Sequence, residues 1–293
     1  MLPLAAAVPG RRRSSESKPN GSTAVTTGAG APKTLVDFAH ALADISGKAI
    51  LPYFRKPITV TNKAGVSAFD PVTAADRAAE RAIRKAILAR FPDHGIVGEE
   101  FAAVAGSSRY RWLIDPIDGT RAFIMGSPLW GTLLGLMDGS EPVLGLMDQP
   151  FTGERFWSDR RGARWRGPQR KARRITTRAC ARLGDAILTS THPEMFRAGE
   201  EAARFDAVRA RVRMTRYGGD CYGYCLLAAG YVDLVIETSL KPYDIMPLVP
   251  IIEAAGGIVT TWDGTPATDG GRIVAAGDRR VHQEALAILR GMR

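Results

Sequence analysis

Two aspartates separated by only two residues follow a short apolar run in the middle of the chain. The run over residues 112–114 is typical of the end of a buried strand, and Pro116 and Gly119 favour a turn directly after it. We therefore expect Asp115 and Asp118 to leave the sheet edge close together. Carboxylates at that spacing repel each other unless a cation lies between them, so the turn predicts half of a divalent-metal site. The alternative is an ordinary loop whose acids cap a helix.

Other residues with suitable chemistry surround this turn. Gly119 and Thr120 offer backbone N–H groups and a hydroxyl, which can hold a phosphate oxygen. Glu99 ends a short apolar strand sixteen residues before Asp115, and the two strand ends can be neighbours in one sheet, although paired glutamates are usually a solvated surface. Asp76 completes a capping box at the start of a helix, and it could alternatively orient the Thr120 hydroxyl.

Composition limits the possible classes of protein. The chain has 293 residues, of which 45% are hydrophobic, and it carries 40 basic and 30 acidic residues for a formal net charge of +10. This balance favours an anionic partner, such as a nucleic acid or a phosphorylated small molecule. No apolar run approaches the roughly 20 residues of a membrane-spanning helix, so we expect a soluble protein with no membrane partner. Three cysteines suggest reduced thiols and a cytoplasmic location.

The elements that must position these residues follow from periodicity and turn signals. Residues 1–31 are poor in large apolar side chains and predict a disordered tail. Helical spacing over residues 35–54 and 73–90 is followed by alternating strands over 132–165, an antiparallel meander. Helices and strands alternate from residue 186 onward, and one helix is expected over 241–256. We expect an N-terminal α+β half over 32–182, with most of the metal ligands, and a C-terminal α/β half over 183–293.

Several motifs together resemble a known family. The chain resembles the inositol monophosphatase superfamily of magnesium-dependent phosphatases from about residue 35 to residue 290, and it looks most similar to the histidinol-phosphate phosphatase branch. The motifs shared with the superfamily are Gly98-Glu99-Glu100, Asp115-Pro116-Ile117-Asp118-Gly119-Thr120, Lys241-Pro242-Tyr243-Asp244 and Glu253-Ala254-Ala255-Gly256-Gly257. Those similar to the branch are Asp70-Pro71-Val72-Thr73-Ala74-Ala75-Asp76-Arg77 and Tyr217-Gly218-Gly219-Asp220-Cys221-Tyr222.

The resemblance implies an αβαβα layered sandwich with the site between its halves, two or three Mg²⁺ ions and a homodimer. Glu99, Asp115 and the Ile117 carbonyl would hold the first ion, and Asp115, Asp118 and Asp244 the second. Thr120, oriented by Asp76, would help to activate the attacking water, while the N–H groups of Gly119 and Thr120 would hold the phosphate.

The resemblance also places Glu237 against the leaving alcohol, and Asp220 would be a second carboxylate in the same pocket unless it only caps a helix. Two acids favour L-histidinol phosphate, which carries an ammonium and an imidazole, over a neutral inositol phosphate. We therefore predict a phosphomonoesterase of histidine biosynthesis. An inositol-1-monophosphatase or a related small-molecule phosphatase is the alternative.

The basic segment between Arg155 and Arg182 allows a different class of function. It contains eleven basic residues against one acidic residue, and Trp157 and Trp165 lie among them. Such a segment could bind RNA, but it has no helix-turn-helix, RNP-like or zinc signature. We therefore expect no nucleic-acid partner, and a solvated or oligomer-facing hairpin is the preferred interpretation of residues 160–174.

Overall fold

The computed structural model describes residues 30–62 and 71–291. Most of the predicted tail over residues 1–31 therefore lies outside the described residues, as does Asp70 of the branch motif. Ala31, at the end of this predicted tail, is buried. Within the described residues, no helix is both long enough and apolar enough to cross a membrane.

Helices and strands alternate along most of the described chain. The helices are α1 (Lys33–Ile50), α2 (Ala74–Arg90), α3 (Thr120–Ile124), α4 (Glu200–Arg209), α5 (Asp220–Ala228), α6 (Pro242–Ile245), α7 (Val249–Ala254) and α8 (Arg279–Leu289). The strands are β1 (Val60–Asn62), β2 (Pro71–Thr73), β3 (Gly95–Gly98), β4 (Tyr110–Asp118), β5 (Gly131–Asp138), β6 (Glu141–Gln149), β7 (Glu154–Ser158), β8 (Ala163–Arg166), β9 (Arg173–Arg174), β10 (Ile187–Ser190), β11 (Met214–Tyr217), β12 (Leu234–Leu240), β13 (Ile258–Thr261) and β14 (Gly271–Ala276).

Helix α2 begins at the predicted capping box. The Thr73 hydroxyl accepts a hydrogen bond from the Ala75 N–H at 3.2 Å, and the Asp76 carboxylate accepts one from the Thr73 N–H at 2.8 Å. These bonds satisfy backbone donors that the first turn of a helix otherwise leaves without partners. The apolar face of α2, which includes Ile83 and Ile87, is fully buried.

The first sheet has seven strands in the order β3-β4-β5-β6-β7-β8-β9. Strands β3 and β4 are parallel, with Gly98 opposite Ile114, and the remaining neighbours are antiparallel. Gly139 and Gly153 lie in the connections after β5 and β6 with φ of 62° and 72°, which glycine adopts without the steric cost of a side chain. The predicted meander is confirmed, and the parallel β3–β4 pair places Glu99 beside the end of β4.

The second sheet has five strands in the order β11-β10-β12-β14-β13. Strands β10, β11 and β12 run parallel, whereas β14 is antiparallel to both of its neighbours. Strand β11 was not predicted, because its sequence is polar and it lies at an exposed edge.

Apolar clusters on the faces of the two sheets define the layers. Helices α1 and α2 pack on one face of the first sheet around Trp112, Ile114 and Leu134. Helices α5, α6 and α7 lie between the two sheets in one continuous cluster, and α4 and α8 cover the outer face of the second sheet. The order is helix, sheet, helix, sheet, helix, which confirms the αβαβα sandwich.

The single helix predicted over residues 241–256 is wrong, because the chain forms α6 and α7 with a turn over residues 246–248. Pro247 and Pro250 interrupt the helical hydrogen bonds, since proline has no backbone N–H. The turn between α6 and α7 packs closely against the first sheet. A side-chain carbon on Gly145 of β6 would lie only 1.9 Å from the Pro247 carbonyl oxygen.

Candidate active site

The two aspartates of the central motif lie on β4 itself rather than in a turn after it. The strand continues to Asp118, and its pairing with β5 is interrupted by a bulge between Asp115 and Asp118. The prediction that the strand ends at residue 114 is therefore wrong in detail, because a bulge can re-aim side chains without ending a strand. Carboxylate oxygens of Asp115, Asp118 and Asp244 all lie within 4.8 Å of one another. Asp244 reaches the group from α6.

Burial makes this group of carboxylates costly in its ionised form. The pKa of Asp115 is raised well above its ordinary value by burial and then by repulsion from Glu99, Asp118 and Asp244. Burial raises the pKa of Asp118 to about 6, although the Cys221 N–H donates to it at 2.6 Å and opposes the shift. Burial and Asp118 also raise the pKa of Asp244. Without a bound cation, the ionised carboxylates of this group repel one another.

The donor set fits a hard divalent cation. Carboxylate and carbonyl oxygens are the ligands that Mg²⁺ prefers. Within residues 30–62 and 71–291, no lysine or arginine forms an ion pair with Asp115, Asp118 or Asp244. A bound cation would supply the compensation that the described protein groups do not.

Glu99 and Ile117 flank this group. Glu99 follows β3, and its backbone N–H donates to the Ile114 carbonyl at 3.2 Å. Its charge contributes to the raised pKa values of Asp115 and Asp118, although Glu99 lies outside the 4.8 Å group. The Ile117 N–H donates to Asp115 at 3.0 Å, and this contact helps to fix the bulge.

Gly119 and Thr120 connect β4 to α3. Gly119 has φ of 87°, and a side-chain carbon there would lie 2.9 Å from the Leu129 carbonyl oxygen, so the position requires glycine. Thr120 is the first residue of α3, and its hydroxyl donates to the Ile117 carbonyl at 3.0 Å. The structure thus places the predicted phosphate-binding residues beside the predicted carbonyl ligand.

Asp76 lies at the start of α2. One carboxylate oxygen accepts from the N–H and the hydroxyl of Thr73, and the other is buried without a hydrogen-bond partner among the described residues. Burial raises the pKa of Asp76 to about 6. The hydroxyl of Thr120 donates to Ile117 in this structure and not to Asp76.

A pocket of about 100 Å³ opens beside Asp118 and Asp244, and it also contains both predicted substrate carboxylates, Asp220 and Glu237. Burial, followed by the charges of Asp118 and Glu237, raises the pKa of Asp220 to about 8. Burial also raises the pKa of Glu237 to about 7. The charge of Arg121 and a hydrogen bond from Thr191 oppose the rise in the pKa of Asp220 without cancelling it.

Asp220 has an unusual backbone conformation. The residue that caps α5 is Gly219, so the interpretation of Asp220 as a helix cap is wrong. Asp220 is the first helical residue and has φ of 42°, a conformation that costs free energy for residues other than glycine. Its β carbon lies 3.3 Å from the place that a side-chain carbon on Gly119 would occupy, which puts Asp220 directly beside the turn between β4 and α3.

The sequence analysis missed two partners of Glu237. Thr191, just after β10, donates to Glu237 from its N–H at 2.9 Å and from its hydroxyl at 2.6 Å. The Tyr224 hydroxyl donates to the other oxygen of Glu237 at 3.0 Å. The polar run Thr189-Ser190-Thr191 at the end of a strand was the available signal for Thr191. Tyr224 gave none, because it lies inside an otherwise apolar helix.

Comparison with known proteins identifies the family. The model of the inositol monophosphatase family matches residues 31–291. The chain belongs to this family. It is 44% identical over 262 residues to the chloroplastic bifunctional phosphatase IMPL2 of Arabidopsis thaliana, covering 85% of this chain and 73% of that protein. It is 34% identical to the histidinol-phosphatase of Chlorobaculum parvum, covering 88% of this chain and 98% of the relative. The solved inositol monophosphatase of Zymomonas mobilis has 40% sequence identity and a TM-score of 0.77, covering 88% of this chain and 98% of that one.

Proposed function

We propose that this phosphatase hydrolyses L-histidinol phosphate to L-histidinol and phosphate, as a step of histidine biosynthesis. Membership of the inositol monophosphatase family supports the reaction class, and the histidinol-phosphatase relative supports the substrate. The observation that carries the proposal is the pocket in which Asp220 and Glu237 lie beside the acidic group of Asp118 and Asp244.

The two pocket carboxylates suit a cationic leaving group. Histidinol carries an ammonium and can carry a protonated imidazole, and a charged donor on a carboxylate forms a stronger hydrogen bond than a neutral hydroxyl does. Both oxygens of Glu237 already accept hydrogen bonds from the protein, whereas Asp220 has a pKa raised to about 8 by burial and by neighbouring acids. A cation beside Asp220 would restore its ionised form, so Asp220 should contribute more to selectivity than Glu237.

The proposal includes two or three Mg²⁺ ions at the acidic group. Glu99, Asp115 and the Ile117 carbonyl would hold one ion, and Asp118 and Asp244 would hold a second together with Asp115. Bound Mg²⁺ would supply a water of lowered pKa and positive charge for the phosphate and the leaving oxygen.

The residues around the metal ligands have their own roles in the proposal. The N–H groups of Gly119 and Thr120 would bind a phosphate oxygen at the turn before α3. The Thr120 hydroxyl would hold the attacking water. The buried Asp76 oxygen that has no hydrogen-bond partner among the described residues would accept a hydrogen bond that orients this hydroxyl.

Phosphate release with Mg²⁺ tests the proposal, with L-histidinol phosphate and inositol 1-phosphate compared side by side and each repeated in EDTA. We expect preference for histidinol phosphate and loss of both activities in EDTA. Asp220→Asn should lower kcat/KM for histidinol phosphate by about 10- to 100-fold, the value of a charged hydrogen bond, with a smaller loss for inositol phosphate. Equal losses for the two substrates would reject the role of Asp220.

Inositol-1-monophosphatase activity is the second candidate. The Zymomonas mobilis protein favours it, because that inositol monophosphatase shares 40% of its sequence with this chain. Equal or faster hydrolysis of inositol 1-phosphate would support this candidate and would leave the metal site unchanged.

The proposal also includes the location, the oligomeric state and the binding partners of the enzyme. The three cysteines are buried free thiols, which suits a reducing compartment such as the cytoplasm. We propose a homodimer that binds a small phosphorylated amino alcohol and does not use nucleic acid. Light scattering of the purified protein tests the dimer, and binding of labelled RNA at physiological salt tests the exclusion of nucleic acid.

A further inference from the structure

A buried ion pair on α2 contacts the loop that carries Glu99. The Arg84 Nε donates to the Glu80 Oε1 at 2.7 Å, and the two residues are one helical turn apart. Glu80 is fully buried, and the Arg84 side chain is only 11% exposed. Neither residue belongs to the acidic group, and the proposed reaction assigns no role to them.

The remaining polar atoms of this pair bind the backbone directly after Glu99. The second carboxylate oxygen of Glu80 accepts from the Glu100 N–H at 2.8 Å. The two terminal nitrogens of Arg84 donate to the Phe101 carbonyl at 2.8 Å and to the Ala102 carbonyl at 2.9 Å. The pair therefore binds three consecutive residues of one loop, with the planar arginine group serving two carbonyls at once.

The residue before Glu99 is adapted to the same pair. A side-chain carbon on Gly98 would lie 2.1 Å from the Glu80 Oε1. Because that oxygen is fixed by Arg84 and Glu80 is buried, the carboxylate could not move aside without losing a hydrogen bond. Glu99 is thus held on one side by its backbone bond to Ile114 of β4 and on the other by the ion pair.

We propose that Glu80 and Arg84 are positioning residues that hold Glu99 at the metal site. A buried ion pair is in itself weak evidence for a contribution to stability, because the cost of desolvation offsets much of the attraction. This pair has a further effect, because three hydrogen bonds join it to the loop that carries Glu99 and a fourth holds its two side chains together. Removal of a residue that orients a metal ligand typically weakens metal binding by about 10- to 100-fold. The inference rests on the proposed function, because Glu99 is a metal ligand only there.

The experiment compares two matched substitutions in the full chain. Arg84→Lys keeps the charge but removes the planar group that binds two carbonyls and Glu80 together. Arg178→Lys makes the same change in the second sheet, where Arg178 donates to Asp233 at 2.7 and 2.5 Å. Each variant is heated with increasing Mg²⁺ or Mn²⁺, and the metal-induced rise in Tm gives an apparent metal Kd. Phosphate release over the same Mg²⁺ range gives the half-saturating concentration.

We expect Arg84→Lys to raise the apparent metal Kd by about 10- to 100-fold, with kcat at saturating Mg²⁺ within about twofold of the wild type. Arg178→Lys should lower Tm in EDTA without changing the metal Kd. Gly98→Ala should displace the Glu80 carboxylate and weaken metal binding as Arg84→Lys does.

If the wild type binds metal and both arginine variants bind it equally well, the positioning role is wrong. If the wild type itself shows no metal-induced rise in Tm, the proposed metal site fails and the positioning role fails with it. The two outcomes are distinguished by the wild-type titration alone.

Discussion

Asp115 and Asp233 are both buried aspartates, exposed by 2% and 1%, but the protein surrounds them differently. Asp233 accepts two hydrogen bonds from Arg178 and one from the Ile187 N–H at 2.7 Å. Among the described residues, Asp115 accepts from the Ile117 N–H and otherwise lies near other carboxylates. Arg178 compensates the charge of Asp233, whereas the described residues leave the charge of Asp115 uncompensated, which fits the proposed cation. Burial of an acid thus indicates function only when its partners are also considered.

The largest expected effect concerns Asp115. We predict that Asp115→Asn lowers kcat for phosphate release by on the order of 1000-fold, because charge stabilisation by a bound metal supplies several kcal/mol of the barrier reduction. The variant should be at least as stable as the wild type in EDTA, since one repelling charge is lost. A clear fall in Tm in EDTA would contradict the comparison by showing that Asp115 stabilises the fold.

Arg178→Met should have the opposite pattern. The substitution leaves Asp233 buried without its cation. Breaking a fully buried pair costs about 3–5 kcal/mol of unfolding free energy, and because the Arg178 side chain is itself 42% exposed we expect a loss of no more than about 3 kcal/mol. Urea unfolding followed by circular dichroism measures this loss. At a temperature where the variant is folded, kcat/KM should match that of the wild type. A selective loss of activity with unchanged stability would assign Asp233 to the site.

Metal binding should be the next effect in size. A ligand that binds only the folded state stabilises it by about 2.7 kcal/mol at 100 times its Kd, so Mg²⁺ should raise the Tm of the wild type. Asp115→Asn should abolish most of this rise, and Arg178→Lys should retain it. Thermal unfolding with and without Mg²⁺ measures the difference, and an equal rise in both variants would contradict the assignment.

The metal-free protein should gain stability as the pH falls. Asp118 and Asp220 have folded pKa values of about 6 and about 8, above the ordinary value of 3.8. The folded state therefore binds more protons than the unfolded state between about pH 4 and 8, so the free energy of unfolding decreases as the pH rises through this window. Tm in EDTA across that range measures the slope, which Mg²⁺ should reduce. A rising stability over the same window would contradict the raised pKa values.

The smallest expected effect is a loss of stability as the pH falls, and it comes from His282 in α8. Burial and the charges of Arg279 and Arg290 lower the pKa of His282 from 6.5 to about 4. Its stabilising contribution is complete above pH 6.5 and is lost as the pH falls towards 4, because the unfolded state takes up the proton first. His282→Gln should therefore reduce the loss of stability in that interval. The free energies of unfolding of the wild type and of His282→Gln, each measured at pH 7 and at pH 5, test this prediction.

The sequence predicted the parts of the site in which chemistry and local spacing coincide. The layered fold, the capping box at Thr73 and the grouping of Asp115, Asp118 and Asp244 are confirmed. The individual roles of the site residues, the identity and number of the metal ions, and the division into halves at residue 182 stay predictions. The resemblance to a family carried the long-range part, since nothing in the spacing itself joins residue 244 to residue 118.

Local sequence patterns could not predict contacts between side chains that are far apart along the chain. The bulge in β4 is a feature of its pairing with β5, and Asp220, which has a positive φ, lies beside the distant residue Gly119. The spacing of Glu80 and Arg84 did not distinguish them, because opposite charges four residues apart are a common feature of solvent-exposed helix faces. Their burial became visible only when the loop after Glu99 was placed against α2.

The layer of helices between the two sheets determines how the protein unfolds. Side chains of α5 and α7 belong to one apolar cluster with residues from both sheets, such as Met147 of β6 and Ile273 of β14. Neither sheet can expose its inner face without uncovering the other, so we expect the two halves to unfold in a single cooperative transition. For the same reason, we do not expect either sheet with its own helices to fold as an independent module, because each depends on the same shared core.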